Sequence, residues 1–401
     1  MKTPFGLTKR IEVEEVVQQR GSWGPIMCSN TVDSVTIKSK GKYNYKYKES
    51  TEVPNLAFID DNINISKCGL EAVNQHIYFT KMMQMKRVNF NGGDKEKKSK
   101  CEQMHVGKKT DSCPSLQIDG NSLEIVSKIS YLGDVVSNNG KNVSNIKERI
   151  SRGIGIINNI FSILENMNFG KHYFEIALLL FESLLINGIL YNSEVWYNLT
   201  KKNIQDLSII DKIFFSRLFS LPRTALSESV YLELGICDVE NIIKIRRVMY
   251  FYNIINRNKK HLVFRVIMAQ YNKRAKGDWI IDVLKDINDL KIKTDFEFRR
   301  SLSKASFKKI VKSQMNLFAL KKFQDQQKNH SKMKNLEYNC LKIQKYFLEN
   351  TKKEDKVTIF KSIRNLEEIS ELVESLLCVL FVKLMKTVKR KVLIVKLSRI
   401  R

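Results

Sequence analysis

The chain has 401 residues, of which 43% are hydrophobic, and a formal net charge of +27 from 69 Lys and Arg against 42 Asp and Glu. That length implies two or three domains with real apolar cores, and that charge favours a polyanionic partner, nucleic acid or an anionic membrane, although A/T-rich codon usage also yields Lys- and Asn-rich proteins. The longest apolar stretch, Tyr173 to Trp196, is broken by Glu175, Glu182, Asn187 and Glu194; it excludes a bilayer-spanning helix and reads as a buried helix pair. Seven scattered cysteines without a CxxC pair, and no apolar signal core after Met1, predict a nuclear or cytoplasmic rather than secreted protein.

In chain order, Ile11 to Val17 reads as a short strand. A Gly-rich turn, Arg20-Gly21-Ser22-Trp23-Gly24, leads into Pro25 and a helix to about Val35. Tyr43 to Lys48 alternates tyrosine with polar residues, as an edge strand does; an aromatic, basic strip along nucleic acid is the second reading. Leu56 to Ile65 places apolar runs on both sides of Asp60-Asp61-Asn62, the pattern of a tight hairpin with carboxylates at its tip. Adjacent acids on a turn repel one another unless a cation sits there.

Leu70 to Val88 is predicted to be an amphipathic helix facing inward through Leu70, Val73, Ile77 and Met85. A Gly- and Lys-rich loop runs from Asn91 to Lys100. Cys101, His105 and Cys113 supply three soft ligands, one short of a structural zinc site. Leu116 to Val136 is predicted to form two short strands, the second carrying Tyr131-Leu132-Gly133, with a turn at Ser137 to Gly140. From Asn142 to about Asn258 the pattern is helical, with a buried face through Ile146, Ile150, Ile154, Ile157, Phe161 and Leu164. Beyond His261 the chain is basic and mostly helical; Glu367 to Val388 carries an apolar stripe suited to intramolecular packing or a helical protein partner.

The order of these motifs resembles the palm and thumb of reverse transcriptases from LINE-type (non-LTR) retrotransposons. Gln19-Arg20-Gly21-Ser22 and the helix after it are similar to the family's nucleotide-contacting motif, and Phe58-Ile59-Asp60-Asp61 to its catalytic aromatic-x-Asp-Asp. Tyr131-Leu132-Gly133 resembles its primer-grip hairpin; Tyr191 to Trp196 and Tyr231 to Gly235 resemble parts of its helical thumb. The resemblance implies an α+β fold: an incomplete polymerase palm of antiparallel strands and helices at 1–138, a helical thumb at 139–260, and a basic, mostly helical region at 261–401. It also implies Asp60 and Asp61 as catalytic carboxylates and magnesium ligands, Gln19, Gly21 and Ser22 near the nucleotide, and Tyr131, Leu132 and Gly133 on the primer. Lys100 would be the general acid for pyrophosphate if it faced the site.

The resemblance stops short in two places. The family's first catalytic aspartate lies on a strand well upstream of the nucleotide motif, where this chain offers only Glu12, Glu14 and Glu15, and the basic fingers are missing. Arg20 stands where the family has the glycine that follows glutamine. The expectation is therefore a truncated RNA-directed DNA polymerase that binds RNA template, DNA primer or their hybrid without turnover. A non-catalytic, basic, helical protein acting in nucleic-acid binding or assembly is the alternative.

Overall fold

Among the described residues, short alternating stretches between turn residues form two-stranded ladders rather than one broad sheet. The computed structural model describes residues 2–3, 6–7, 45–48, 51–53, 56–58, 61–86, 101–107, 114–118, 120–167, 169–221, 227–293, 301–328, 344 and 356–358. Among them the fold is mixed α+β. The strand expected at Ile11 to Val17, the helix after Pro25, the loop 91–100 and the stretch 367–388 lie outside the described residues. Two compact units are present, each discontinuous in sequence: Met1–Lys147 with Val195–Leu199 and Tyr250–Leu284, and Glu148–Glu194 with Thr200–Met249 and Lys285–Arg401.

The first unit contains all the described strands. Antiparallel pairs join β1 (Lys2–Thr3) to β2 (Gly6–Leu7), β3 (Tyr45–Tyr47) to β4 (Thr51–Val53), and β5 (Leu56–Phe58) to β6 (Asp61–Ile63). After helix α1 (Gly69–Gln84), β7 (Glu102–Met104) pairs in parallel with β10 (Glu124–Val126), while β8 (Gln117–Ile118) and β9 (Asn121–Ser122) close a small hairpin. The last hairpin joins β11 (Lys128–Tyr131) to β12 (Asp134–Ser137).

The expected inward face of α1 is not the one buried. Gln75, Phe79 and Met83 point into the core, while Leu70, Ile77 and Met85 are exposed. The buried row steps by four residues and carries the helix's one phenylalanine. Its polar member, Gln75, is satisfied by the Ser66 hydroxyl, so hydrophobicity alone points to the wrong face. The expected second strand of the 116–136 region is also interrupted, because Leu132 and Gly133 have φ of 46° and 82° and form a turn between β11 and β12. Positive φ at both central residues is the geometry of a tight hairpin turn whose twist matches its strands.

Seven further helices follow: α2 (Val143–Asn166), α3 (Tyr173–Leu180), α4 (Asn187–Ile189), α5 (Lys201–Phe219), α6 (Ser227–Leu234), α7 (Val239–Ile255) and α8 (Leu262–Lys273). α9 (Trp279–Asp289) and α10 (Lys304–Lys328) come next. In the first unit, Trp279 is stacked edge-on against Tyr250, with ring centroids 5.9 Å apart. The hairpin β3–β4 is anchored there too: the Tyr47 hydroxyl donates to Asp278 at 3.2 Å and the Lys48 ammonium pairs with the same carboxylate. Tyr47 thus serves as a structural strand residue, and burial with the nearby Asp278 raises its phenol pKa.

The second unit is helical, and its centre is aromatic. Phe181 lies 4.9 Å from both Phe214 and Phe215 by ring centroids, and Phe174 stacks on Phe219 at 5.4 Å. The segment expected as a helix pair is one continuous run instead: α3 passes through a π-helical turn, Phe181–Ile186, into α4. The Arg246 guanidinium satisfies the end of that run by donating to the Leu190 carbonyl and to Asn187 Oδ1. In α2, Ile146, Ile157, Phe161 and Leu164 are buried as expected, but Ile154 is 43% exposed. Gly153 takes the inward position, where an added Cβ would lie 2.9 Å from Ile189 Cγ2. Thr200 and Asn203 form a reciprocal capping box at the start of α5.

Candidate active site

The carboxylate hairpin forms where alternation placed it. Phe58 pairs with Asp61 across the ladder, which leaves Ile59 and Asp60 between the paired ends. Those two residues lie outside the described ones, as do Gln19, Gly21, Ser22 and Lys100. Of the expected site residues, Asp61, Tyr131, Leu132 and Gly133 are described. Asp61 and Tyr131 stand on different hairpins far apart in sequence, yet lie within electrostatic reach of one another. Partial burial raises the Tyr131 phenol pKa, and the negative charge of Asp61 raises it further. Asp61 itself is exposed, and so is Phe58 beside it.

The turn next to Tyr131 is strained. Leucine at φ 46° puts a branched side chain in the left-handed region, a conformation that costs about 1–2 kcal/mol per residue. Such outliers persist where surrounding contacts hold them, and they collect at functional sites.

Those contacts come partly from Trp196. Its side chain is buried, and the indole N–H donates to Asp134 Oδ1 at 3.5 Å. Asn145 Nδ2 donates to the same oxygen at 3.1 Å, and Asn145 Oδ1 accepts from the Val135 N–H at 3.4 Å. Asn142 Nδ2 donates to the Tyr197 carbonyl at 2.7 Å, and the Tyr197 hydroxyl reaches the Gly140 carbonyl at 3.4 Å. Segment 195–199 and the start of α2 therefore clamp both ends of the β11–β12 hairpin. Asp134 and Asn145 were not picked out from the sequence; their only signal was their position directly after Gly133 and near the start of a helix.

Magnesium takes several hard oxygen ligands in near-octahedral geometry. No three His, Cys, Asp or Glu side chains converge among the described residues. Asp61 is the one described member of the expected pair, and Asp134 is already bonded to Asn145 and Trp196. The described residues thus do not compose a magnesium site, and no chemical step is assigned to one. The suggested zinc ligands fare similarly: His105 Nε2 is 2.7 Å from Gln103 Nε2, Cys101 forms no disulfide among the described residues, and Cys113 lies outside the described residues. What the site presents is an exposed carboxylate beside a phenol and a strained turn. A carboxylate can hold a hard cation, and a phenol can donate to a sugar or phosphate oxygen.

No protein-family model matches the chain, and neither a curated protein nor a solved structure is detectably similar to it. No helix among the described residues is long and apolar enough to cross a membrane.

Proposed function

We propose that the chain is part of an RNA-directed DNA polymerase of the non-LTR retrotransposon kind, which holds a template–primer hybrid but does not extend the primer by itself. One observation carries the reading. The hairpin bearing Asp61 and the hairpin bearing Tyr131-Leu132-Gly133 lie close enough for the Asp61 charge to act on the Tyr131 phenol. In the family that this sequence resembles, the corresponding hairpins flank the primer 3′ end. On this reading Asp60 and Asp61 are metal carboxylates, and Gln19, Gly21 and Ser22 adjoin the nucleotide. Magnesium enters as the expected cofactor, from the resemblance alone.

The test uses the full chain and an RNA–DNA hybrid whose primer ends in a photoreactive 4-thiothymidine. Cross-linking to a peptide within residues 128–137 is expected; cross-linking confined to other peptides overturns the assignment of the primer end. With magnesium and nucleotides, no extension product is expected, and robust extension would refute the absence of turnover. The non-catalytic alternative is favoured by the exposed lysines of the second unit. It would be supported by hybrid binding that survives Asp60→Ala with Asp61→Ala and requires only residues beyond Asn142.

A further inference from the structure

Helix α10 buries one row of its residues. Phe307, Val311, Met315, Ala319 and Phe323 form a row with a four-residue step, and all five are buried. The adjacent row begins Lys304, Lys308, Lys312, and Lys309 stands on the next row round; all four are exposed. None of the four enters an ion pair among the described residues. Elsewhere in the same unit, cations are neutralised: Arg247 by Asp286, Lys244 by Glu240 and Asp289, and Lys322 by Asp238 and Glu240.

This arrangement works against the helix. Like charges four residues apart destabilise it, and cations near its N-terminus oppose the macrodipole. No acidic residue lies in the first turn, and the sequence has no Asp or Glu between residues 301 and 324. The Ser306 N–H is capped by the Ser303 hydroxyl at 3.1 Å, a neutral group. A polyanion along the lysine face would relieve both penalties at once.

We propose that this face of α10 binds the sugar–phosphate backbone of a nucleic acid, independently of the candidate active site. An anionic membrane fits less well. A helix lying on a bilayer inserts an apolar face, and the apolar row of α10 is already buried in the protein. Backbone contacts of this kind supply affinity and salt dependence but no sequence preference. The proposal goes beyond the polymerase reading and does not depend on it.

The experiment measures fluorescence anisotropy of a labelled RNA–DNA hybrid of mixed sequence with the full chain, across a salt titration. Lys304→Gln, Lys308→Gln, Lys309→Gln and Lys312→Gln are combined in one variant, which removes charge while keeping good helix formers. The slope of log affinity against log salt is expected to flatten by about 3 to 4, on the basis of roughly one counterion per neutralised phosphate. At moderate salt the affinity should fall at least tenfold. A control variant removes Lys201, Lys202, Lys259 and Lys260, also exposed, and should lose much less. Equal losses in the two variants, or no loss in the first, would overturn the proposal. So would loss of binding to phosphatidylserine vesicles with hybrid binding unchanged. Circular dichroism melts confirm that both variants fold. Primer-end cross-linking to residues 128–137 reports on the active-site reading and the four-lysine variant reports on α10, so failure of one and failure of the other remain distinguishable.

Discussion

Asp211 is an acid sealed inside a helical core. Its side chain is fully buried, and Oδ2 accepts from the Tyr231 hydroxyl at 3.0 Å. Burial pushes its pKa from 3.8 up to about 8; the tyrosine bond opposes the shift and the nearby Asp238 charge adds to it. The folded protein keeps this proton until about pH 8, whereas the unfolded chain releases it near pH 4. Between those values the folded state holds the extra proton, so stability falls as pH rises, by up to about 1.4 kcal/mol per unit. Asp211→Asn cannot ionise. Urea denaturation across pH should show little advantage for the variant near pH 4 and its largest advantage above pH 8. A constant difference at all pH values would contradict a buried, protonated Asp211.

At the scale of elements, α2 contains an internal comparison. Gly153 sits where a Cβ would meet Ile189 Cγ2 at 2.9 Å and Ile210 Cδ1 at 3.0 Å, while Gly155 on the same helix has nothing within 4 Å. Alanine favours a helix over glycine by about 0.5–1 kcal/mol, and overpacking a tight core costs about 1–3 kcal/mol. Gly155→Ala should therefore raise stability by up to about 1 kcal/mol, and Gly153→Ala should lower it by about 1 kcal/mol. Chemical denaturation of the two variants checks both signs. The same helix shows what was legible in the sequence. Its existence and most of its buried face followed from the spacing of Ile146, Ile157, Phe161 and Leu164. Ile154 did not follow, because a close approach between helices replaced a large residue by Gly153. The β5–β6 hairpin was legible because its pattern is local. The π-helical turn at 181–186 was not, since no residue there breaks an ordinary helix. The electrostatic reach of Asp61 to Tyr131 has no local signature either, because the two stand on separate hairpins far apart in sequence.

For the whole molecule, a net charge of +27 is a destabilising field as well as a binding one, because like charges resist compaction. Raising the ionic strength from about 10 mM to 150 mM shortens the screening length from about 30 Å to 8 Å. The melting temperature of the free chain should rise over that range, and differential scanning calorimetry would show it. A fall would mean that attractive pairs such as Lys244 with Asp289 and Lys322 with Asp238 outweigh the repulsion.

The discontinuous units also set a timetable for biosynthesis. Domains ordinarily fold in turn as the chain leaves the ribosome. Here the unit that begins at Met1 draws its final stretch from Tyr250–Leu284. It stays unfinished until the ribosome has emitted nearly three-quarters of the chain, and by then most of the second unit's first two stretches are already outside. The first unit therefore completes before the second, whose last stretch is Lys285–Arg401, and the early hairpins must wait for partners made much later.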